Sequence, residues 1–314
     1  MSKNQKMLEK HDSETVEAVF EIYVMSRIAS GLAPKTIMTY RQQFHAISKH
    51  LNTDKPIDQI KKSDIDVMIL RMRQAKLSPV SIQTYTRCLR AFFNWCREEE
   101  YSTLSIRLYK AEEAVKEAYT DTELGLLLKR PDKKKCTFAE FRDWTIINFL
   151  INSGCRASTV RGILIKDLDL DNHLVYYRHN KNKKVQTIPL CNAMVAILKE
   201  YLPVRKGEDI DFLFCNDSGE ELTENALRKT IEKYNRSRGV SKTSIHLFRH
   251  TFAKKYLLDC GGDAFTLQKL LGHSTLEMTK HYCNLYNADI QNKFEKMCPL
   301  NTIRSVNKSK IKMN

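Results

Sequence analysis

The sequence lacks the raw material of a disulfide framework or a zinc site. Its nine cysteines are scattered, odd in number, and never stand as C-x-x-C. That usage fits reduced thiols. The polar N-terminus, MSKNQKMLEKHDSE, has no apolar h-region, so no secretory signal is expected. Long apolar runs are missing as well. The longest lies near Trp144–Ile151, far short of the roughly 20 residues that cross a bilayer. There is no internal repeat, and no low-complexity stretch beyond a basic tail, Arg304–Lys312. No carboxylate cluster has the spacing of a divalent-metal site, so no metal and no cofactor are expected.

Acidic residues are in deficit. The 314 residues carry 37 Asp and Glu against 52 Lys and Arg, a net charge of +15. A surplus of that size points to a polyanionic partner, most often nucleic acid. A cytoplasmic, nucleoid-associated protein with no membrane partner is the expectation.

The length suggests about two domains of roughly 100–200 residues each. Residues 1–12 read as a loose polar arm, with no further domain expected ahead of residue 13. Val16, Val19, Phe20, Tyr23 and Val24 then recur at helical spacing, and Gly31 closes that helix. Pro34 opens a second helix through Tyr40, Phe44 and Ile47 to Leu51. Ser63 is expected to cap a third, and Ser78-Pro79 to start a fourth. Residues 13–100 are therefore expected to form an all-α module. Its exposed faces carry Lys35, Arg41, Lys49, Lys61, Lys62, Arg71, Arg73, Lys76, Arg87 and Arg90, a solvated surface from which part would touch DNA.

Residues 101–118 have little apolar periodicity and read as a linker. Thr120-Asp121-Thr122-Glu123 is a capping box that opens a second domain over 119–298, followed by a tail at 299–314. Phe138–Ile151 reads as a buried helix ended by Gly154. The period then shortens: Leu164–Leu170, Leu174–Tyr177 and Val185–Pro189 are expected as strands, with turns at Asp171-Asn172 and Asn180–Asn182. Helices return at Asn192–Tyr201, Glu224–Arg236, His246–Cys260 and Ala264–Leu271, and Ser274-x-x-Glu277 is expected to box the start of another. The fold class expected is thus two-domain: an all-α N-terminal domain plus a mainly α, mixed α+β domain with a small antiparallel sheet.

The chemistry concentrates in Ser244–Leu285, where His246-Leu247-Phe248-Arg249, Leu271-Gly272-His273 and Tyr282 follow in order. Two histidines, an arginine and a tyrosine make a poor metal site and a good phosphate site. Arginine and imidazole donate to phosphate oxygens, and a phenol can attack phosphorus. Upstream, Arg156 follows the helix-ending Gly154, and Lys181 stands at a hairpin tip. Taken singly, Arg156 reads as a surface salt-bridge partner, His246 as a satisfied histidine, His250 as a structural or supporting one, and Tyr282 as helix core. Lys183 and Lys184 flank Lys181 as alternatives, and Tyr286 lies one turn beyond Tyr282 as a rival nucleophile.

In order and spacing, these residues resemble the tyrosine recombinases, the lambda-integrase or phage integrase family. The resemblance rests on His246-x-x-Arg249-His250, on Leu271-Gly272-His273, on the nine-residue step from His273 to Tyr282, and on the hairpin ending in Ile188-Pro189-Leu190. It implies a SAM-like core-binding domain over 13–100 and a catalytic domain over 119–298. It implies Arg156, Lys181, His246, Arg249, His273 and Tyr282 as catalytic residues. Tyr282 would form a 3′-phosphotyrosine and Lys181 would protonate the leaving 5′ oxygen, with neither ATP nor metal. The partners implied are double-stranded DNA and three further copies in a homotetramer on two DNA sites, with room for an accessory DNA-bending or directionality factor. A tail helix through Ile290, Phe294 and Met297 would dock on a neighbouring copy or on its own domain. Thr159 stands where the family usually carries glutamate, and Asn180 and Asn182 where it carries glycines, departures that bear on the groups around the site. The function implied is DNA cutting and rejoining, as integration or excision of a mobile element. Resolution of chromosome or plasmid dimers is the alternative. A topoisomerase-like monomer and a non-catalytic DNA-binding protein are the rivals from other classes.

Overall fold

The computed structural model describes residues 14–111, 117–178 and 185–284; for His281, Cys283 and Asn284 it describes the backbone alone. The chain divides into two compact units, Met1–Ala114 and Val115–Asn314.

The first unit is built from α1 (Val16–Ala29), α2 (Pro34–Ser48), α3 (Lys62–Gln74) and α4 (Pro79–Glu98). Each helix start has a local cause. Thr15 accepts from the Ala18 amide, Pro34 occupies the first turn of α2, and Ser78 accepts from the Ser81 amide ahead of Pro79. The start of α3 differs from the expectation at Ser63. Asp64 takes the Lys61 amide at 2.8 Å, which moves the cap to Lys61 and puts Ser63 inside the first turn. Gly31 follows the end of α1 with φ +79°, as a helix-ending glycine does.

The buried faces meet in an aromatic core. Phe20 stacks on Phe44 with ring centroids 3.7 Å apart, and Phe92 meets Phe20 edge-on at 5.3 Å. Such pairs add about 0.5–1.5 kcal/mol each beyond burial. Ile106 is buried in this same core and Tyr109 packs against it. The ten lysines and arginines singled out above are all exposed, although Arg41 is drawn into an ion pair with Glu21 at 2.7 Å.

The second unit contains α5 (Asp121–Leu128), α6 (Phe138–Ser153), α7 (Ala157–Gly162), β1 (Leu168–Asp169), β2 (Leu174–Tyr177), β3 (Gln186–Pro189), α8 (Asn192–Arg205), α9 (Glu224–Ser237), α10 (Ile245–Leu258), α11 (Ala264–Leu271) and α12 (Leu276–Asn284). The three strands form an antiparallel sheet in order β1-β2-β3, with Val175 opposite Ile188. The Leu164–Leu170 strand is mostly absent. Asp167 accepts from the Leu164 amide at 3.0 Å, which curls 165–167 into a 3-10 turn and leaves two residues to pair.

Helix α6 is the central strut, buried on nearly every face and packed against α8, α9 and α10. The Thr120 capping box opens α5. At the start of α12 the expected box at Ser274 is not formed. The helix begins at Leu276, Ser274 Oγ reaches Met278 Sδ at 3.8 Å, and Glu277 pairs with Lys280 at 3.4 Å. Among the described residues, no helix is long and apolar enough to cross a membrane.

Candidate active site

The site forms where α6, α10 and α11 end or begin against one another. Helix α6 stops at Gly154, whose φ of +58° is left-handed. A Cβ there would strike the Phe252 ring and come within 2.9 Å of Leu271. Only glycine fits both the torsion and the space. The chain then turns through buried Cys155 to Arg156, which stands at the N-cap of α7, half-buried at the mouth of the site.

Arg249 sits on the second turn of α10 and is 6% exposed. Its Nη1 donates to the Gly154 carbonyl and its Nη2 to the Leu271 carbonyl, each at 2.9 Å. These carbonyls close α6 and α11, where the helix dipoles place partial negative charge. The guanidinium thus holds two helix ends together. Burial pulls its pKa down and Arg156 adds to that, while the hydrogen-bonded Tyr282 phenol works the other way.

Gly272 ends α11 in the left-handed region and turns His273 back toward Arg249. His273 Nε2 lies 2.7 Å from Arg249 Nη2. Arginine only donates, so Nε2 accepts, and the neutral ring carries its proton on Nδ1. That nitrogen lies 2.9 Å from Thr279 Oγ1 and donates to it. Burial, then Arg249 and then Arg156, pushes the His273 pKa down to about 4.

Tyr282, on α12, is 6% exposed and packs with Ala253, Leu257, Leu267 and Leu271. Its ring lies nearly parallel to His273, 6.0 Å between centroids at 7°, and 5.2 Å from the His250 ring. His246 projects exposed from the first turn of α10. Arg156, His246, Arg249, His273 and Tyr282 line one cavity of about 590 Å³, together with His250, Ser244, Leu247 and Met278. Five of the six expected site residues therefore converge. Lys181 lies outside the described residues, as do its flanking Asn180 and Asn182, Lys183, Lys184, Tyr286 and the tail through Ile290, Phe294 and Met297.

Two contributors escaped the sequence, and a third, His250, read there as structural or supporting, lines the cavity beside Tyr282. Thr279 was missed, although it stands three residues before Tyr282 and so shares its helix face. Gln186, at the base of β3, donates from Nε2 to the Lys269 carbonyl at 2.6 Å and the Leu270 carbonyl at 3.0 Å. It ties the strand leading out of the hairpin to the end of α11. Thr159, in place of the family's glutamate, is buried in α7. Among the described residues, no three His, Cys, Asp or Glu side chains gather as a metal-binding group.

Comparison with known proteins identifies the family. The model of the phage integrase family matches residues 119–289, and that of the phage integrase N-terminal SAM-like domain matches 22–111. The tyrosine recombinase XerC of Thermodesulfovibrio yellowstonii is 30% identical over 225 residues, 68% of this chain and 73% of its own. The tyrosine recombinase XerD of Staphylococcus haemolyticus is 27% identical over 297 residues, 90% of this chain and 99% of its own. The Tn1549 transposon integrase, solved with a circular intermediate DNA, shares the fold with a TM-score of 0.73 at 22% identity, over 90% of this chain and 100% of that one. The chain belongs to the phage integrase family of tyrosine recombinases, enzymes of DNA strand exchange.

Proposed function

We propose that this protein cuts and rejoins double-stranded DNA through a 3′-phosphotyrosine on Tyr282. The observation that carries the reading is the convergence of Arg156, His246, Arg249, His273 and Tyr282 on one cavity. A phosphodiester is anionic and resists nucleophiles, and attack loads further charge on its non-bridging oxygens. Arg156 and Arg249 supply forked donors to those oxygens, and His246 and His273 add single ones. The Tyr282 oxygen bonds to phosphorus as its proton passes to a neighbouring group, and the bond from phosphorus to the 5′ oxygen breaks. That oxygen takes a proton from Lys181. The phosphotyrosine conserves the linkage energy, so religation needs neither ATP nor metal.

The first unit would grip the duplex with its exposed lysines and arginines, and affinity would fall steeply with salt. Lambda integrase has been solved as a tetramer bound to a Holliday junction, which supports a tetramer on two sites here. Integration or excision of a mobile element is the biological reading, and dimer resolution the second. Recombination between an element end and a foreign target separates the first from exchange between two identical repeats.

The test is a nicked suicide duplex carrying the sequence that the protein selects from a random pool, incubated in EDTA. An SDS-stable adduct that Tyr282→Phe abolishes and Tyr286→Phe spares is expected. A tightly bound duplex that gives no adduct would turn the reading to a non-catalytic DNA-binding protein.

A further inference from the structure

In this structure His273 is arranged to accept at Nε2, from Arg249, and to donate at Nδ1, to Thr279. A phosphate requires the reverse. Its oxygens only accept, so the nitrogen facing it must carry the proton. An imidazole locked with its proton on Nδ1 cannot meet a phosphate at Nε2 without becoming a cation. Burial and the two arginines oppose that charge.

The partner on Nδ1 decides whether the ring can change. A carboxylate or a backbone carbonyl accepts only and would fix the proton on Nδ1. An ammonium donates only and would fix it on Nε2. A hydroxyl does both. Thr279 Oγ1 is that partner. Thr279 is fully buried, with 0% exposure, and stands one helical turn ahead of Tyr282 on α12.

We propose that Thr279 is a positioning residue whose hydroxyl lets His273 exchange tautomers as a DNA phosphate enters, turning Nε2 from an acceptor for Arg249 into a donor to phosphate. This rests on the proposed function in taking His273 as a phosphate donor. In the exchange Nδ1 gives its proton to solvent and Nε2 takes one from solvent, so the ring stays neutral and no net proton is gained or lost. The Thr279 hydroxyl rotates from accepting to donating. The Arg249 N–H that faced Nε2 is released to a second phosphate oxygen. Two donors thus reach the phosphate where Arg249 and His273 otherwise satisfy each other as donor and acceptor. The same hydrogen bond fixes the register of α12 against His273, and with it the near-parallel placement of Tyr282.

The experiment has two arms on the full chain. In the first, nitrogen-15 spectra of histidine-labelled protein report the His273 tautomer, assigned by loss of the signal in His273→Ala. The free protein is expected to show Nδ1–H. Tyr282→Phe protein on its selected duplex is expected to show Nε2–H. Nε2–H in the free protein, or no change on binding, overturns the proposal.

In the second arm, cleavage of the suicide duplex is timed at saturating protein. Thr279→Val is expected to slow cleavage by roughly 10- to 100-fold with unchanged duplex affinity, and Thr279→Ser to restore the rate. Because Thr279 acts through His273, Thr279→Val should cost nothing further in a His273→Ala background. Penalties that multiply would mark a merely structural threonine and overturn the proposal. Failure of the recombinase reading appears separately, as wild-type protein that binds the duplex, forms no adduct and yet shows the tautomer change.

Discussion

The Arg249 guanidinium donates to the Gly154 carbonyl at 2.9 Å, across 95 positions of sequence. One residue belongs to the second half of the site and the other closes the helix that precedes the first arginine. Because the same guanidinium also takes the Leu271 carbonyl, it serves the fold before any substrate arrives. Arg249→Ala is expected to strand two buried carbonyls, at about 1–3 kcal/mol each, and to abolish the covalent adduct. Arg249→Lys should recover part of the stability but not the adduct, since an ammonium lacks the fork. Urea denaturation and the suicide-duplex assay read the two effects.

Gly154 and Gly125 make opposite predictions. Alanine at Gly154 meets both a left-handed torsion and the Phe252 ring and is expected to destabilise the protein by about 1–3 kcal/mol. Alanine at Gly125, inside α5 with nothing within 4 Å of its Cβ, is expected to stabilise by up to about 1 kcal/mol. Both are measured as shifts of the urea midpoint.

Gln186 fastens the hairpin strand β3 to the end of α11, and a Cβ on Gly272 would come 2.6 Å from its Oε1. Gln186→Ala is expected to slow cleavage with little effect on duplex binding, because it loosens the turn that presents His273. Gly272→Ala should do the same and lower stability as well. Single-turnover cleavage beside a binding titration separates the effects. Equal loss in both assays would show that the contact serves DNA binding instead.

His273 gives the stability a pH dependence. Its pKa is about 4 in the folded chain against an ordinary 6.5, for which burial is the leading cause. Between those values the unfolded chain binds more protons than the folded one. Stability due to this group is therefore complete above the upper value and falls as pH drops toward the lower. The midpoint difference between wild type and His273→Asn should move against the wild type from about pH 7.5 to about pH 5. A difference independent of pH would contradict the buried neutral imidazole.

The sequence displayed much of this molecule because its signals were local. Helix starts at Thr120 and Ser78-Pro79, the stop at Gly154, and the heptad-like face of α1 are each decided by a few adjacent residues. The expectations failed where a neighbour a few positions away took the hydrogen bond first. Asp64 displaced Ser63 as the group that caps α3, and Asp167 curled most of an expected strand. The site was legible as residue types in order, since a phosphate demands donors and a nucleophile. The contacts holding those types in place were not. Thr279 and Gln186 act through hydrogen bonds whose partners are fixed only when α11 and α12 fold, and nothing in a polar residue's spacing says which nitrogen or carbonyl it will meet.

The central claim is that Tyr282 bonds to DNA, and the direct measurement is to find the bond. The adduct from wild-type protein is digested with nuclease and trypsin, and the modified peptide is sequenced by fragmentation. Tyr282 and Tyr286 share one tryptic peptide, His281–Lys293, so fragmentation must separate them. The account predicts a nucleotide joined through its 3′ phosphate to Tyr282. The same group on Tyr286, or on any other residue, would contradict it.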